Sequence, residues 1–311
     1  LTFIGAMLSA EAHHKKAYTT FNLYIKNHVS KIKNYQSFEK QQTLIAAQLA
    51  MKAKQYSIVI NYLEGLKGLD PQNYVDAKVM LAKAHHKSHQ NSLAIKYLKL
   101  IQTHPEANDS HRLELVRLLV LEKQKSTALP VLNTLVTKHP KNLELLKSLI
   151  ALQIDQSKLT DIEKNIKNLR VNANYKNEAD YFTGEFAEKL GQQEKALLNY
   201  SKVTGGSYLK NAHKKRISLI KRIEGQQVLN DFFKNQQENA ETIEDQSYWI
   251  KLQADDLFET RKYVEALSLY NKAITLSPKK SKYRYKRGLV YERLGNLDKA
   301  ETDFNFVLAI H

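Results

Sequence analysis

The chain has 311 residues, with 48 Lys and Arg against 32 Asp and Glu, which gives a formal net charge of +16. It contains ten Gly, five Pro and no Cys. So few turn-forming residues argue against an all-β fold and favour helices joined by short polar connectors. The lack of Cys excludes disulfides, thiolate metal sites and a cysteine nucleophile.

The N-terminal segment LTFIGAMLSA begins without an initiator Met and is too short and too uncharged to be a whole signal peptide. The C-terminal His311 falls in the middle of the repeating pattern described next. We therefore expect a fragment of a longer chain, with any targeting segment outside it. No apolar run approaches the roughly 20 residues that a bilayer crossing needs.

Apolar residues recur every 34 residues through the middle of the chain, without an insertion. Three columns share this spacing, namely Ala94, Ala128, Ile162 and Ala196, then Leu98, Leu132, Ile166 and Tyr200, then Ile101, Leu135, Leu169 and Val203. The period returns near the C-terminus in the pairs Ala254 and Gly288, Ala266 and Ala300, and Tyr270 and Phe304. A period of this length is typical of stacked helix pairs.

Counting outward from these columns predicts about nine helix pairs in chain order. The first pair is recognised by Gly5, Leu8, Ala17 and Phe21. The second and seventh pairs match the pattern weakly, and the register is weakest over 211–246. The predicted limits are 1–33, 38–71, 75–108, 109–142, 143–176, 177–210, 211–246, 247–280 and 281–311.

Small residues on both helices of a pair would let two antiparallel backbones approach closely, with an aromatic residue filling the space towards the next pair. On the first helix these are Gly184, Ala254 and Gly288, and on the second Ala196, Ala266 and Ala300, with Tyr200, Tyr270 and Phe304 as the aromatic residues. Gly191 and Gly295 stand where the first helix must end, a position that accepts positive φ.

Prolines are predicted to close the second helix, because proline cannot continue a helix that needs its N–H. The closing residues are Pro105, Pro140 and Pro278. His104 and His139 each precede one of these prolines, where a partly protonated imidazole would favour the negative end of a helix.

These features resemble the tetratricopeptide repeat (TPR), a helix-turn-helix unit of 34 residues. The closest match is QADDLFETRKYVEALSLYNKAITLSP, which ends at Pro278. The resemblance implies an all-α fold, a right-handed α-α superhelix in which residues 1–311 form a single solenoid array. A two-domain bundle pivoting after Gly205 and Gly206 is the alternative.

Residues for catalysis, cofactors or metals are not expected. Neighbouring histidines on a helix point about 100° apart and cannot share an ion, while His85 and His89 lie four apart on one predicted face but have no acid between them. The segment VTGGSY lacks the Lys of a phosphate-binding loop. We therefore predict no enzyme activity, no cofactor and no metal site.

The positive charge is concentrated at KNAHKKR (Lys210 to Arg216) and at PKKSKYRYKR (Pro278 to Arg287). Tyr283 and Tyr285 in the second cluster could stack on bases, but both fall at the start of a repeat helix, where packing accounts for at least one of them. Nucleic acid is therefore not the expected partner, and the charge is interpreted as a solvated face biased by base composition.

A stacked array exposes its first helices on one concave surface, which suits a protein or peptide partner. Taking repeat positions 5 and 9 as inward, the predicted partner-binding residues are Lys83, Leu113, Arg117, Lys147, Tyr181, Glu185, Lys251, Asp255 and Tyr285. Solvated groove lining is the alternative for each of them.

The C-terminal half, beginning at DYFTGEFAEKLG and including the link GGSYL, is similar to proteobacterial TPR outer-membrane lipoproteins. Members of that group are adaptors of a periplasmic carboxyl-terminal processing protease. The resemblance implies a scaffold that presents cell-wall hydrolase substrates to the protease, in the periplasm and anchored to the outer membrane through a lipid outside this sequence. This sequence departs from the group in its strongly basic charge and in showing no lipid-attachment Cys.

Two other roles remain open. The first is a cytoplasmic TPR scaffold for assembly or regulation that uses the same concave surface. The second is a TPR accessory region of a larger enzyme.

Overall fold

A computed structural model describes residues 19, 20, 23, 35–157 and 161–310. Sixteen α-helices and a short 3₁₀ helix, Ala173–Tyr175, occupy these residues, and no strand is found among them. The predicted pair at 1–33, with its marker residues Gly5, Leu8, Ala17 and Phe21, lies outside the described part. None of the described helices is both long enough and apolar enough to cross a membrane.

The chain divides into two compact units, residues 1–189 and 190–311. In unit 1, consecutive helices pack against each other as antiparallel neighbours. Its helices are α1 (Tyr35–Lys52), α2 (Tyr56–Leu63), α3 (Pro71–Lys87), α4 (Asn91–Ile101), α5 (Asp109–Leu121), α6 (Lys125–Lys138), α7 (Leu143–Asp155), α8 (Ile162–Arg170) and α9 (Lys176–Lys189).

In unit 2 each helix again packs on the next one along the chain. The helices are α10 (Gln193–Ser201), α11 (Leu209–Ile223), α12 (Gly225–Glu238), α13 (Ile243–Glu259), α14 (Tyr263–Leu276), α15 (Ser281–Arg293) and α16 (Leu297–Leu308).

The predicted all-α repeat fold is confirmed, since the chain is a helical repeat solenoid. The eight predicted pairs from residue 38 onward correspond to α1 through α16 taken two at a time, including the weakly matching second and seventh pairs. That all 311 residues form one uninterrupted array stays a prediction.

The three columns of apolar residues with 34-residue spacing form the core. All twelve residues are buried, from Ala94 at the start of the first column to Val203 at the end of the third. A helix pair cannot bury such residues alone, because its apolar stripes face outward on both sides of the pair. The period in the sequence is therefore the period of burial.

Small residues permit close packing within the last pair, as predicted. Phe304 was expected to fill the space towards the next pair, but it packs within its own pair instead. A Cβ placed on Gly288 of α15 would stand 2.6 Å from Cε1 of Phe304 on α16. Phe304 therefore fills the space that Gly288 leaves within its own pair. Tyr270 makes contacts both within its own pair and with the following pair. Its hydroxyl donates to Asp255 of its own pair at 2.6 Å, and its ring lies in one buried cluster with Val290 of the following pair.

The turn that ends the first helix of most pairs has one backbone conformation. In α15 the amide of Gly295 donates to the carbonyl of Glu292 and that of Asn296 to Tyr291, which together form a Schellman motif. The predicted positive φ of the capping glycines is confirmed, at 74° for Gly191 and 77° for Gly295. Non-glycine residues adopt the same conformation at Lys54, His89, Lys123, Ser157 and Arg261.

Pro140 and Pro278 follow helices that end at Lys138 and Leu276, and Pro105 follows the turn after α4, in agreement with their predicted role. Pro71 instead occupies the first turn of α3, where its missing N–H costs nothing. Pro130 stands inside α6, at its sixth residue. The ring nitrogen of Pro130 cannot donate to the carbonyl of Ser126, so α6 lacks one of its internal hydrogen bonds.

Replacing Gly295 with Ala is expected to lower the free energy of unfolding by about 1 kcal/mol, because φ of 77° is unfavourable for any residue with a Cβ. The converse change, Arg261→Gly, should raise it by a similar amount at φ of 62°. Urea unfolding followed by circular dichroism measures both. Gly65→Ala is the control, because Gly65 has open space and no positive φ; equal effects at Gly65 and Gly295 would contradict the interpretation.

Gly288→Ala is expected to destabilise unit 2 by about 1–3 kcal/mol, because the added methyl overlaps the Phe304 ring. The second change Phe304→Leu removes that overlap, so the double variant should lose less stability than the two single losses combined. Additive losses in thermal melts would show that the two residues do not share one packing site.

Candidate functional site

A pocket of about 250 Å³ opens between the first helices of two neighbouring pairs, α3 and α5, in unit 1. Apolar side chains of Val79, Ala82, Leu98 and Leu118 line part of it. The polar lining comes from Lys83, Ser110, His111, Glu114 and Arg117. The pocket thus combines an apolar interior with polar and charged groups at the surface of the array.

Local capping positions the two helices that carry these side chains. Asp70 caps α3 by accepting from the amide of Asn73 at 3.1 Å. Asn108 caps α5 by accepting from the amides of Ser110 and His111 at 3.0 and 3.3 Å. These side chains satisfy amides that would otherwise lack an intrahelical partner, so both helices begin at a defined residue.

Arg112 fixes the loop that precedes α5. Its guanidinium donates to the carbonyl oxygens of Gln102 and Ala107, both at 2.8 Å, and to Asp109 at 3.0 Å. These three hydrogen bonds from one planar group fix the position of the start of α5 relative to the end of α4. Ser110 and His111 therefore line the pocket from the first turn of α5, and Glu114 from the second.

Asp109 ties α5 to the end of α6. Its carboxylate accepts from His139 Nε2 at 2.6 Å and pairs with Lys138 at 3.0 Å. The hydrogen bonds from His139 and Lys138, with that from Arg112, lower the pKa of Asp109 to about 2. His139 was predicted to favour the negative end of its own helix, which stays a prediction; its observed partner is the Asp109 carboxylate of the neighbouring helix.

His111 is the most constrained polar group of the pocket. Burial, followed by the positive charge of Lys83, lowers its pKa, while Asp76 raises it and Arg112 lowers it further. The ring is therefore neutral at pH 7. Its Nδ1 is buried and has no hydrogen-bond partner among the described residues, which costs about 1–3 kcal/mol.

The two cationic side chains at the pocket remain accessible. Arg117 forms only an exposed ion pair with Glu114 at 3.5 Å, with 76% of its side chain exposed. A pair of this kind contributes little to stability. Lys83 is exposed, and no ion pair joins it to any acidic group in the described part of the chain. An anionic group that binds at the pocket could therefore pair with Lys83 and with Arg117, whose only ion pair is weak and exposed.

The structure brings together two of the nine predicted partner-binding residues, Lys83 and Arg117, at this one pocket. Leu113 lies on the same helix, half-buried, outside the pocket lining. Lys147 pairs with Glu144 at 2.6 Å and lies 5.8 Å from the ring centre of Tyr175. Lys147 is thus held within its own pair.

Four other predicted residues take part in contacts within the repeats. Tyr181 is buried and donates to half-buried Glu185 at 3.1 Å. In unit 2, Lys251 is buried and pairs with Asp255, which also accepts from Tyr270. The expectation of an open surface was wrong for Tyr181 and Lys251, because each is buried against its own helix and neighbours.

Tyr285, the last of the nine predicted residues, is 45% exposed. The centre of its ring lies 5.8 Å from that of Phe304. Tyr283 beside it is buried, so packing does account for one of the two tyrosines, as expected. Several cations of that segment are used internally. Arg284 and Arg287 both pair with buried Asp303, and Lys280 pairs with Glu244.

Sequence reasoning missed three pocket residues, Ser110, His111 and Glu114, because only two positions of each repeat were taken as inward. Ser110 lies at repeat position 2, one turn before position 5, and was available from the register. The predicted common face of His85 and His89 was also wrong, since α3 ends at Lys87 and His89 lies in the turn at φ of 60°.

Comparisons with known proteins support the repeat assignment. Residues 254–295 match a family model described as TPR repeat. A solved tetratricopeptide repeat protein from Parabacteroides merdae superposes with a TM-score of 0.50 at 12% identity, covering 81% of this chain and 98% of that one. The chain has the fold of a TPR protein.

Two other solved structures are more distant. The C-terminal part of a TPR repeat-containing protein from Cytophaga hutchinsonii has a TM-score of 0.45 and 15% identity, over 77% of this chain and 97% of that one. MamA of strain AMB-1 has a TM-score of 0.41 and 17% identity, over 57% and 96%. No curated protein matches the sequence at a significant level.

Asp109→Asn is expected to lower the free energy of unfolding at pH 7 by about 1–2 kcal/mol, because the ionised carboxylate is stabilised by His139, Lys138 and Arg112. The folded-state pKa lies below the unfolded value, so this stability is present above about pH 4 and disappears as the pH falls to about 2.

The measurement is urea unfolding of wild type and variant between pH 2 and pH 7. Glu106→Gln is the control, an exposed side chain in the loop before α5. A difference between wild type and Asp109→Asn that stays constant over this range would contradict the ion-pair account.

Proposed function

We propose that this TPR chain is a non-enzymatic scaffold that binds partner proteins through the first helices of its pairs. The pocket between α3 and α5 is the observation that carries the proposal. It offers two accessible cations, a neutral imidazole with an unpartnered nitrogen, and an apolar interior. This combination suits an acidic segment of a partner that also inserts an apolar side chain.

Electrostatics favours an acidic partner at both long and short range. The net charge of +16 attracts an anionic segment during encounter. At the pocket, Lys83 and Arg117 would then exchange water, or a weak exposed ion pair, for the carboxylates of that segment. His111 adds no positive charge to these two cations, because burial lowers its pKa.

The size and lining of the pocket suit a short segment of a partner. The pocket is lined by α3, α5 and Leu98 of α4, and its polar groups are Lys83 on α3 and four residues in the first three turns of α5. One inserted apolar side chain would occupy the 250 Å³ pocket, with neighbouring carboxylates reaching Lys83 on one wall and Arg117 on the other.

The proposal is tested with a fluorescently labelled ten-residue peptide rich in Asp and Glu that contains one central Leu, titrated against the full chain. Lys83→Glu and Arg117→Glu should each weaken binding about tenfold at low salt, equivalent to about 1.4 kcal/mol. Added salt should weaken wild-type binding, because part of the attraction is between exposed charges.

Lys96→Glu is the matched control. Lys96 is exposed on α4 and does not line the pocket, and its replacement changes the net charge by the same amount. Binding that falls equally in all three variants would mean that only net charge attracts the peptide. Binding unchanged in Lys83→Glu and Arg117→Glu would remove the pocket from the interaction.

A narrower role follows from the resemblance of the C-terminal half to lipoprotein adaptors. We propose that the scaffold acts in the periplasm, anchored at the outer membrane, and presents cell-wall hydrolases to a carboxyl-terminal processing protease. Purified protease of that class should then bind the immobilised chain and degrade hydrolase faster in its presence. A protease whose degradation rate is unchanged by the chain would contradict this narrower role and leave the pocket proposal standing.

A further inference from the structure

An apolar groove in unit 2 is lined by three consecutive helices, the second helix of one pair and both helices of the next. Its volume is about 590 Å³. Each helix contributes side chains from about two turns of one face. The lining residues are Glu194, Leu197, Leu198 and Ser201 of α10, Arg216, Ile220, Ile223 and Glu224 at α11, and Val228, Asp231, Phe232 and Asn235 of α12.

The groove floor is continuous with the core, while its edges are open. Leu197 and Phe232 are half-buried and pack against the core of unit 2. Leu198 and Val228 are 57% and 39% exposed. A cavity that encloses a small molecule would bury its lining, so this open apolar strip fits a macromolecular occupant.

Arg216 is unusual among the groove residues. Its guanidinium lies 4.9 Å from the ring centre of Phe232, and burial lowers its pKa. Arg216 Nε is buried and has no hydrogen-bond acceptor in the described part of the chain. A half-buried cation without a carboxylate partner is costly unless something bound nearby offers an oxygen atom.

The rim has the opposite charge to the chain as a whole. Glu194, Glu224 and Asp231 surround the groove, and among the described residues none of the three forms an ion pair. Three carboxylates against one guanidinium make this strip negative within a chain of net charge +16. An acidic segment of the kind proposed for α3 and α5 would be repelled here.

The occupant that fits these walls is a helix. All three walls are helix faces whose backbone N–H and C=O groups are bonded within the helices, so an extended segment would find no backbone partners. A helix satisfies its own backbone and can place apolar side chains between those of the walls. Residues 194 to 201 span about 10 Å at 1.5 Å per residue, which matches an occupant with about two helical turns in the groove.

We propose that this groove, defined by Leu198, Val228 and the rim carboxylates Glu194, Glu224 and Asp231, binds a basic amphipathic helix of a partner protein. The apolar stripe of that helix lies on Leu198 and Val228, and its Lys or Arg side chains pair with the rim. A backbone carbonyl of its last turn, at the negative end of the helix dipole, is placed to accept from Arg216.

The test uses three labelled 16-residue peptides and the full chain. The first carries Leu at i, i+3, i+4 and i+7 with Lys on the flanking positions, the second replaces Lys with Glu, and the third replaces Leu with Ser. The first peptide should bind saturably with 1:1 stoichiometry, and the other two at least about tenfold more weakly. Equal binding of the Lys and Glu peptides, or no saturable binding of the first, overturns the proposal.

Leu198→Lys and Val228→Lys should each weaken binding of the first peptide about tenfold or more, because they remove apolar contact and add repulsion. Val264→Lys is the matched control, since Val264 is 72% exposed on α14 and lies outside the groove. Circular dichroism and melting temperature verify that each variant folds. Wild-type affinity in both groove variants overturns the proposal.

Two further arms separate this proposal from its alternatives. Lys83→Glu should leave binding of the basic helix unchanged, so that failure of the pocket in unit 1 and failure of this groove are distinguishable. Sedimentation velocity of the chain alone tests whether a second copy fills the groove. A dimer that Leu198→Lys converts to a monomer would identify this chain itself as the occupant and overturn the assignment to a basic partner helix.

Discussion

Close contact between the two helices of a pair, seen within each unit, is the constraint on which the rest of the structure depends. Gly288 leaves room for the Phe304 ring, and Ala254 and Ala266 are buried in the same cluster as Tyr270. Pairs packed this tightly present apolar stripes that only the next pair can cover. Stacking is thus required by burial, and the surfaces left over on the stacked helices are the surfaces available for function.

The two candidate surfaces differ in which helices form them and in their charge. In unit 1, the first helices α3 and α5 give a small pocket with two accessible cations. In unit 2, α10, α11 and α12 give a larger apolar groove with an acidic rim. A scaffold with two surfaces of opposite local charge can select different partners for each, because like charges oppose the wrong partner as effectively as unlike charges attract the right one.

Much of the fold could be predicted from the sequence because packing repeats with the same period as the residues. The columns headed by Ala94 and Leu98 identified buried positions, and Gly191 and Gly295 identified turns with positive φ. The turns at Lys123 and Arg261 have the same geometry without glycine, so residue type alone could not reveal them. Both turns carry the long backbone hydrogen bond of the motif, from Gln124 to Leu119 and from Lys262 to Leu257.

The candidate site was less predictable, because repeat position gives the direction of a side chain but not its partners. Lys83 and Arg117 were predicted from repeat position 9, and both line one pocket; that they bind a partner stays a prediction. Lys251, at repeat position 5, was also predicted to face a partner, but it is buried and pairs with Asp255 four residues along the same helix. Arg216 belongs to a basic run in the sequence, yet it is half-buried on Phe232 rather than solvated.

The central claim is that the pocket between α3 and α5 receives an acidic partner segment, and His111 reports on it most directly. Nitrogen-15 NMR of histidine-labelled chain, with His111 assigned by its loss in His111→Gln, follows Nδ1 during addition of the acidic peptide. Because this nitrogen has no partner in the described structure, the account predicts a saturable change in its chemical shift with the affinity measured by fluorescence. An unchanged His111 resonance while the peptide is bound would contradict it.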